Sequence, residues 1–249
     1  MYKPQMTTVA GDPSGEAHPP QDGAMRDMKP VCSSPAYRLG YPWIRLLLGA
    51  LTHLLSPRLR VTGRYHVPRR GPVILTPNHL SNADPAYVSH ASPRSLWFMA
   101  KEELFESSVI ASAMRYWQTF PIDQGGADRA ALRYAERLLQ SGNGLVIFPE
   151  GRCSPTGEME PILPGAVLLA LRTEVPVIPV GLYGTNHVIP YVEQAPRPTL
   201  SPVCVHFAAS IRFTDIKSLP RREQREAATR RLEEAMRAAR TVAQRSVSK

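Results

Sequence analysis

Cysteine is scarce: Cys32, Cys153 and Cys204 are the only three in 249 residues, and no two form a C-x-x-C pair. Their separation argues against a disulfide framework or a thiolate zinc cluster and suits a reducing cytosol. Seven histidines occur, none in a ligand spacing such as H-E-x-x-H, so no metal is expected. No G-x-S-x-G elbow exists, which argues against a hydrolase working through a serine ester. No internal repeat is found, and no apolar run is long enough to cross a bilayer as a helix. Acidic residues are in deficit, 21 against 30 Lys and Arg, giving a net charge of +9 and a pI near 9.8. That balance calls for an anionic partner. Aromatics are only 7% of the chain and do not interleave with the basic residues, so nucleic acid is not expected to be that partner.

What is present divides the chain. Residues 1–36 hold six Pro and three Gly without apolar periodicity, the composition of a disordered tail, and lack the basic start and apolar run of a secretory signal. Residues 37–249 are expected to form one domain. From Trp43 to Leu55, Ile44, Leu47, Leu48, Leu51 and Leu54 fall at helical spacing, opposite Arg45, Gly49, Thr52 and His53. Thirteen residues make roughly 20 Å of helix, short of the ~30 Å hydrocarbon layer. The segment is therefore expected to lie in a membrane interface, the alternative being a helix that packs on the domain.

Seven short apolar runs rich in β-branched residues read as strands: 59–62, 72–76, 95–99, 120–122, 144–148, 175–181 and 203–207. Helical stretches at 127–140 and 164–171 lie among them, which argues for an α/β sheet covered by helices. A last helix is expected over 221–245, with Leu232, Met236, Ala239 and Val242 on one face. From Lys217 to Lys249 the chain carries ten Lys or Arg against four Glu, a net of +6. That surplus serves either a solvated face or contact with anionic lipid.

Two loops carry the chemistry. After the strand 72–76 comes Pro77-Asn78-His79-Leu80-Ser81-Asn82-Ala83-Asp84-Pro85, in which Asp84 and Pro85 have the character of an N-cap and first helical residue. A loop folding back over five residues brings the Asp84 carboxylate to one imidazole nitrogen of His79 and leaves the other toward the open end of the sheet. A histidine oriented in this way can take the proton of an alcohol near neutral pH. The second loop, Phe148-Pro149-Glu150-Gly151-Arg152-Cys153-Ser154, offers a Gly that lets backbone approach a ligand and an Arg suited to phosphate. Glu150 is placed to tie down that Arg or a neighbouring backbone group. Cys153 raises the alternative of a thiol nucleophile beside His79.

Together the two loops resemble the glycerolipid acyltransferase family that includes 1-acylglycerol-3-phosphate acyltransferases. Its mark is an Asn-His, four residues, Asp block followed by Phe-Pro-Glu-Gly. Phe120-Pro121-Ile122-Asp123 and Val175-Pro176-Val177-Ile178-Pro179-Val180 match two further blocks in order and spacing. The resemblance implies a mixed, mostly parallel sheet flanked by helices, and an enzyme at the cytosolic face of the cell membrane, peripheral or monotopic. It also implies acyl-CoA or acyl carrier protein as donor and no cofactor. The acceptor would be the sn-2 hydroxyl of 1-acylglycerol 3-phosphate, giving phosphatidic acid in phospholipid synthesis. His79 would be the base and Asp84 its partner, with Asn78, Glu150, Gly151, Arg152, Gln124 and Arg129 in acceptor binding. Gln124 and Cys153 stand where the family often has Arg, and Arg152 follows Gly151 directly, as in members that act on other lysophospholipids. Another lysophospholipid or glycerol 3-phosphate is therefore the alternative acceptor, and a non-catalytic lipid-binding protein the alternative class.

Overall fold

The structure is a computed structural model that describes residues 35–123, 128–191 and 195–248, with side chains from residue 39 onward. The proposed disordered tail thus lies outside the described residues up to 34, and so does Gln124. In chain order the elements are α1 (Pro35–Leu55), β1 (Leu59–Thr62), β2 (Val73–Pro77), α2 (Asp84–Ala91), β3 (Trp97–Lys101) and α3 (Ser108–Tyr116). They continue with β4 (Thr119–Ile122), α4 (Arg129–Gln140), β5 (Gly144–Val146), α5 (Gly165–Thr173), β6 (Val177–Tyr183), β7 (Val203–Phe207) and α6 (Arg221–Val247). All seven expected strands form, some displaced by a residue or two at their ends.

The strands make one sheet in the order β1-β7-β6-β2-β5-β3-β4, parallel throughout except where β6 meets β7. Every residue of β2 is buried, as a central parallel strand covered on both faces requires. Its alternation separates two cores. Ile74 faces one side with Leu145, Tyr134, Leu138, Leu169, Leu232 and Met236, under α4, α5 and α6. Val73 and Leu75 face the other with Val146, Ile178, Val180, Tyr87 and Val88, under α2.

The last helix buries Ala228, Leu232, Met236, Ala239 and Ala243. Val242 is 41% exposed, correcting its expected place on the inner face, because the burial steps by fours to Ala243. The helix runs so close to β6 that a Cβ added at Gly181 would lie 2.1 Å from the Ala239 carbonyl oxygen.

α1 begins well before Trp43 and sits the other way out from an ordinary surface helix. Gly49 and Thr52 face α2, where a Cβ on Gly49 would meet the His90 ring at 2.8 Å, and Tyr41 is buried as well. Arg45 donates to the Ser92 carbonyl at 2.5 Å, and the Ser56 hydroxyl meets that of Tyr87 at 2.7 Å. The apolar stripe of Leu39, Trp43, Leu46, Leu47, Leu51 and Leu54 faces outward.

β2 lies between β5 and β6, and the chain leaves it toward β3 on the β5 side before returning to add β6 on the other side. This reversal opens a crevice beyond the carboxyl ends of the central strands. Both motif loops leave the sheet there. Gly181→Ala would drive a methyl into the α6 backbone and is expected to cost about 1–3 kcal/mol of stability, read as a lowered midpoint in urea unfolding.

Candidate active site

Residue 78 is where β2 gives way to the loop. The Asn78 side chain is buried and accepts the Leu182 amide at 2.7 Å while donating to the Leu182 carbonyl at 3.2 Å. Both ends of its amide therefore join β2 to β6. Bonded in this way to the neighbouring strand, Asn78 holds the loop at the sheet.

His79 follows, its side chain 15% exposed at the edge of the crevice. Nδ1 lies 2.9 Å from Asp84 Oδ2. The same oxygen accepts the amides of Leu80 at 2.6 Å and Ser81 at 2.9 Å. Asp84 opens α2 but does not cap it; the cap position is Ala83, without a side-chain bond. The N-cap expectation for Asp84 fails because its carboxylate turns back to the loop that precedes it. Phe148 stacks on the His79 ring, with centroids 4.1 Å apart and planes at 28°.

The second loop is bound to the first. Glu150 is buried; its Oε1 accepts the His79 amide at 2.7 Å and its Oε2 the Glu160 amide at 2.8 Å. Of the two roles considered for Glu150, it takes the backbone one. This clamp ties the second loop to the first from within the domain. Gly151 adopts φ 72°, a backbone that favours glycine. The Ser154 amide donates to the His79 carbonyl at 2.8 Å. Between Glu150 and Ser154, Cys153 Sγ is held 3.4 Å from His79 Nε2 and 3.5 Å from Asn82 Oδ1. The sulfur is also 3.7 Å from Nδ1, so it lies against the face of the imidazole ring.

Arg152 is 66% exposed and forms a forked pair with Glu160, Nε at 2.9 Å and Nη2 at 2.7 Å. Glu160 raises its pKa further. Arg129 is the exposed first residue of α4, beyond the carboxyl end of β4. β4 is three strand spacings, about 14 Å, from β2 in the sheet. The fold thus brings His79, Asp84, Asn78, Glu150 and Gly151 together, sets Arg152 beside them and holds Arg129 at the far side of the crevice.

Burial of the His79 ring works against its charged form. The hydrogen bond and charge of Asp84, with those of Cys153, outweigh that cost and raise its pKa from 6.5 to about 9. Burial likewise pushes the Glu150 carboxyl up, against the two amides it accepts. No group of three or more His, Cys, Asp or Glu arranged to hold a metal occurs among the described residues.

A histidine with its inner nitrogen on a buried carboxylate and its outer nitrogen at a crevice can carry a proton to or from a reacting group. A model of the Acyltransferase family matches residues 58–183, just over half of the chain and inclusive of both loops. The chain belongs to the Acyltransferase family. It is 24% identical over 152 residues to the 1-acyl-sn-glycerol-3-phosphate acyltransferase of Borreliella burgdorferi, covering 60% of this chain and 61% of that protein. It is 31% identical over 140 residues to 1-acyl-sn-glycerol-3-phosphate acyltransferase alpha of Mus musculus, covering 55% and 49%. The chain spans about half to three fifths of the length of such curated relatives. The crystal structure of the 1-acyl-sn-glycerophosphate acyltransferase PlsC from Thermotoga maritima superposes with a TM-score of 0.65 and 25% identity over 84% of each chain. The α/β acyltransferase fold is therefore shared well beyond the matched motifs.

Three features of this acyltransferase site escaped the sequence reading: the Phe148 stack, the Asn82 contact and the paired use of Glu160. Phe148 and Asn82 lie inside the two motifs, which was the only available signal. Glu160 becomes a neighbour only through loop closure. The His79 Cε1 proton should titrate near pH 9 by NMR, and Asp84→Asn should lower that midpoint by removing the principal group that favours the imidazolium.

Proposed function

We propose that this acyltransferase moves a fatty acyl group from acyl-CoA or acyl carrier protein to the sn-2 hydroxyl of 1-acylglycerol 3-phosphate, yielding phosphatidic acid. The observation that carries the reading is the 2.9 Å pair of His79 and buried Asp84 at the carboxyl edge of β2. The names of the relatives supply the substrate class. His79 takes the proton of the lipid hydroxyl, the oxygen bonds to the acyl carbon, and the donor's carbon–sulfur bond breaks. The departing thiolate receives the proton from His79, so no net charge is left on the enzyme. Asp84 fixes the tautomer and balances the imidazolium. Arg152 receives the acceptor phosphate by exchanging it for the half-buried Glu160 carboxylate, and Arg129 lines the approach.

The outward face of α1 supports a membrane location. No helix among the described residues is long and apolar enough to cross a membrane. Six large apolar side chains nevertheless project from one face of α1, while its inner face is fastened to α2. That face dips into the cytoplasmic leaflet and brings the crevice to its lipid substrate. The position of Arg152 directly after Gly151 favours a second reading in acceptor choice, another lysophospholipid or glycerol 3-phosphate.

His79→Ala should lower acyl transfer from labelled acyl-CoA to 1-acylglycerol 3-phosphate by about 100-fold or more; retention of more than a few per cent would sink the assignment. The same assay over a panel of lysophospholipids and glycerol 3-phosphate ranks the acceptors. Replacing Leu47 and Leu51 together by Glu should abolish flotation with phospholipid vesicles and leave the far-ultraviolet circular dichroism unchanged. Persistent flotation would contradict the role given to α1.

A further inference from the structure

Acidic residues are missing from three stretches of the chain, 28–83, 194–214 and 235–249, and the fold brings all three to one corner. Arg58, Leu59 and Arg60 from the first, Pro202 from the second and Val247 from the third line a cleft of about 230 Å³. Arg58 and Arg60 are exposed, as is Arg245, two residues before Val247 on α6. None of these three arginines forms an ion pair among the described residues. Arg60 donates to the Ser246 carbonyl at the end of α6 and keeps further N–H groups of its guanidinium for another acceptor.

The corner adjoins the end of α1. The Leu55 carbonyl accepts the Thr199 amide at 2.8 Å, which ties the segment of Leu200 to the helix that carries Leu54, and both leucines are exposed. β1 is parallel to β7, which is antiparallel to β6, and β6 is parallel to β2. The start of β1 therefore stands at the same end of the sheet as the end of β2, where the crevice opens. β1 is three strand spacings, about 14 Å, from β2, and no residue of the two motif loops lines the cleft. Exposed leucines beside guanidinium groups match the boundary of a bilayer, where acyl chains lie beneath a layer of phosphates. A guanidinium binds phosphate through paired N–H bonds.

We propose that the Arg58–Arg60 cleft binds the headgroup phosphate of an anionic phospholipid of the membrane, a lipid that is neither acceptor nor donor, and so docks the crevice end of the sheet on the bilayer. This rests on the reading of α1 as an interfacial helix. The apolar stripe of α1 senses acyl chains but not the charge of the headgroups, and a single helix leaves the domain free to roll about the helix axis. A cationic cleft at the end of α1, set off toward β1, adds a second point of contact and a preference for an anionic leaflet. The lack of carboxylates in all three contributing stretches keeps repulsion away from that point. Dissolved phosphate offers the same chemistry to the arginines; exposed Leu54 and Leu200 favour a phosphate that arrives with its acyl chains.

The test floats the full-length chain with vesicles of phosphatidylcholine alone and of equimolar phosphatidylcholine and phosphatidylglycerol. The wild-type chain should bind the mixed vesicles roughly 10-fold or more tightly at low salt, with the preference shrinking as salt rises. Arg58→Gln combined with Arg60→Gln should remove most of that preference and leave binding to phosphatidylcholine and the urea unfolding midpoint unchanged. Because Arg60 also bonds the end of α6, Arg58→Gln is measured by itself and should cost about threefold or more on the mixed vesicles. Arg69→Gln with Arg70→Gln removes the same charge from exposed positions just before β2, at the opposite end of the sheet, and should keep the preference. An equal loss in the two double variants means diffuse attraction and overturns the cleft. Inorganic phosphate should release the chain from mixed vesicles no better than sodium chloride of equal ionic strength; markedly better release assigns the cleft to free phosphate and overturns the lipid. Equal wild-type binding to both kinds of vesicle leaves the α1 reading standing and sinks the headgroup site, whereas binding to neither sinks both.

Discussion

A fully buried carboxylate needs partners, and Asp84 collects three on one oxygen: the amides of Leu80 and Ser81 and Nδ1 of His79. Leaving an ionised carboxylate buried without donors costs far more than the loop's conformational entropy, so the loop closes around it. Its closure fixes the ring plane of His79, and Phe148 supports that plane from one side. The Glu150 clamp on the His79 amide and the Cys153 contact both presuppose this conformation. Removing the carboxylate would release a whole corner of the crevice.

Around this corner the site is assembled from backbone bonds far more than from side chains reaching a ligand. Asn78 and Glu150, the two motif residues most suggestive of substrate contact, are engaged with main-chain groups of β6 and of the opposing loop. Their work is to hold two loops from different strands within hydrogen-bond distance across the sheet edge. Such bonds give the loops precision, although Asp84 Oδ1 is buried among them without a hydrogen-bond partner. The groups left toward the crevice are few: the outer face of His79, the Cys153 sulfur and the Arg152–Glu160 pair.

The amphipathicity of α1 is put to unusual use. Hydrophobic burial ordinarily turns the leucine stripe of a helix inward. Here the inward face is made of a tyrosine, a glycine, a threonine and an arginine, and the close approach at Gly49 leaves no room for leucines between α1 and α2. Leu46, Leu47, Leu51 and Leu54 face outside, while Leu55 at the helix end packs on the core. A surface so apolar is stable when something apolar covers it, and an interfacial location supplies that cover.

The alternation of apolar runs and helical stretches in the sequence was enough to place all seven strands and the mixed α/β class, because buried parallel strands are continuously apolar and β-branched. The His79–Asp84 pairing was legible too, since five residues with a helix start leave the carboxylate few ways to turn. α3 was not legible: its outward positions Val109 and Ile110 blur any helical stripe. Which motif residues face a ligand and which face the backbone was beyond the sequence, because Asn78 and Leu182 are 104 positions apart and Glu150 and His79 are 71 apart. Whether α1 presents leucine or threonine to the domain was likewise decided by packing against α2. The chain alone determined the elements and the chemistry they carry, since these follow from local pattern and spacing. Only tertiary structure decided the partner of each polar group, because a hydrogen bond across a sheet edge depends on the order in which strands are laid side by side.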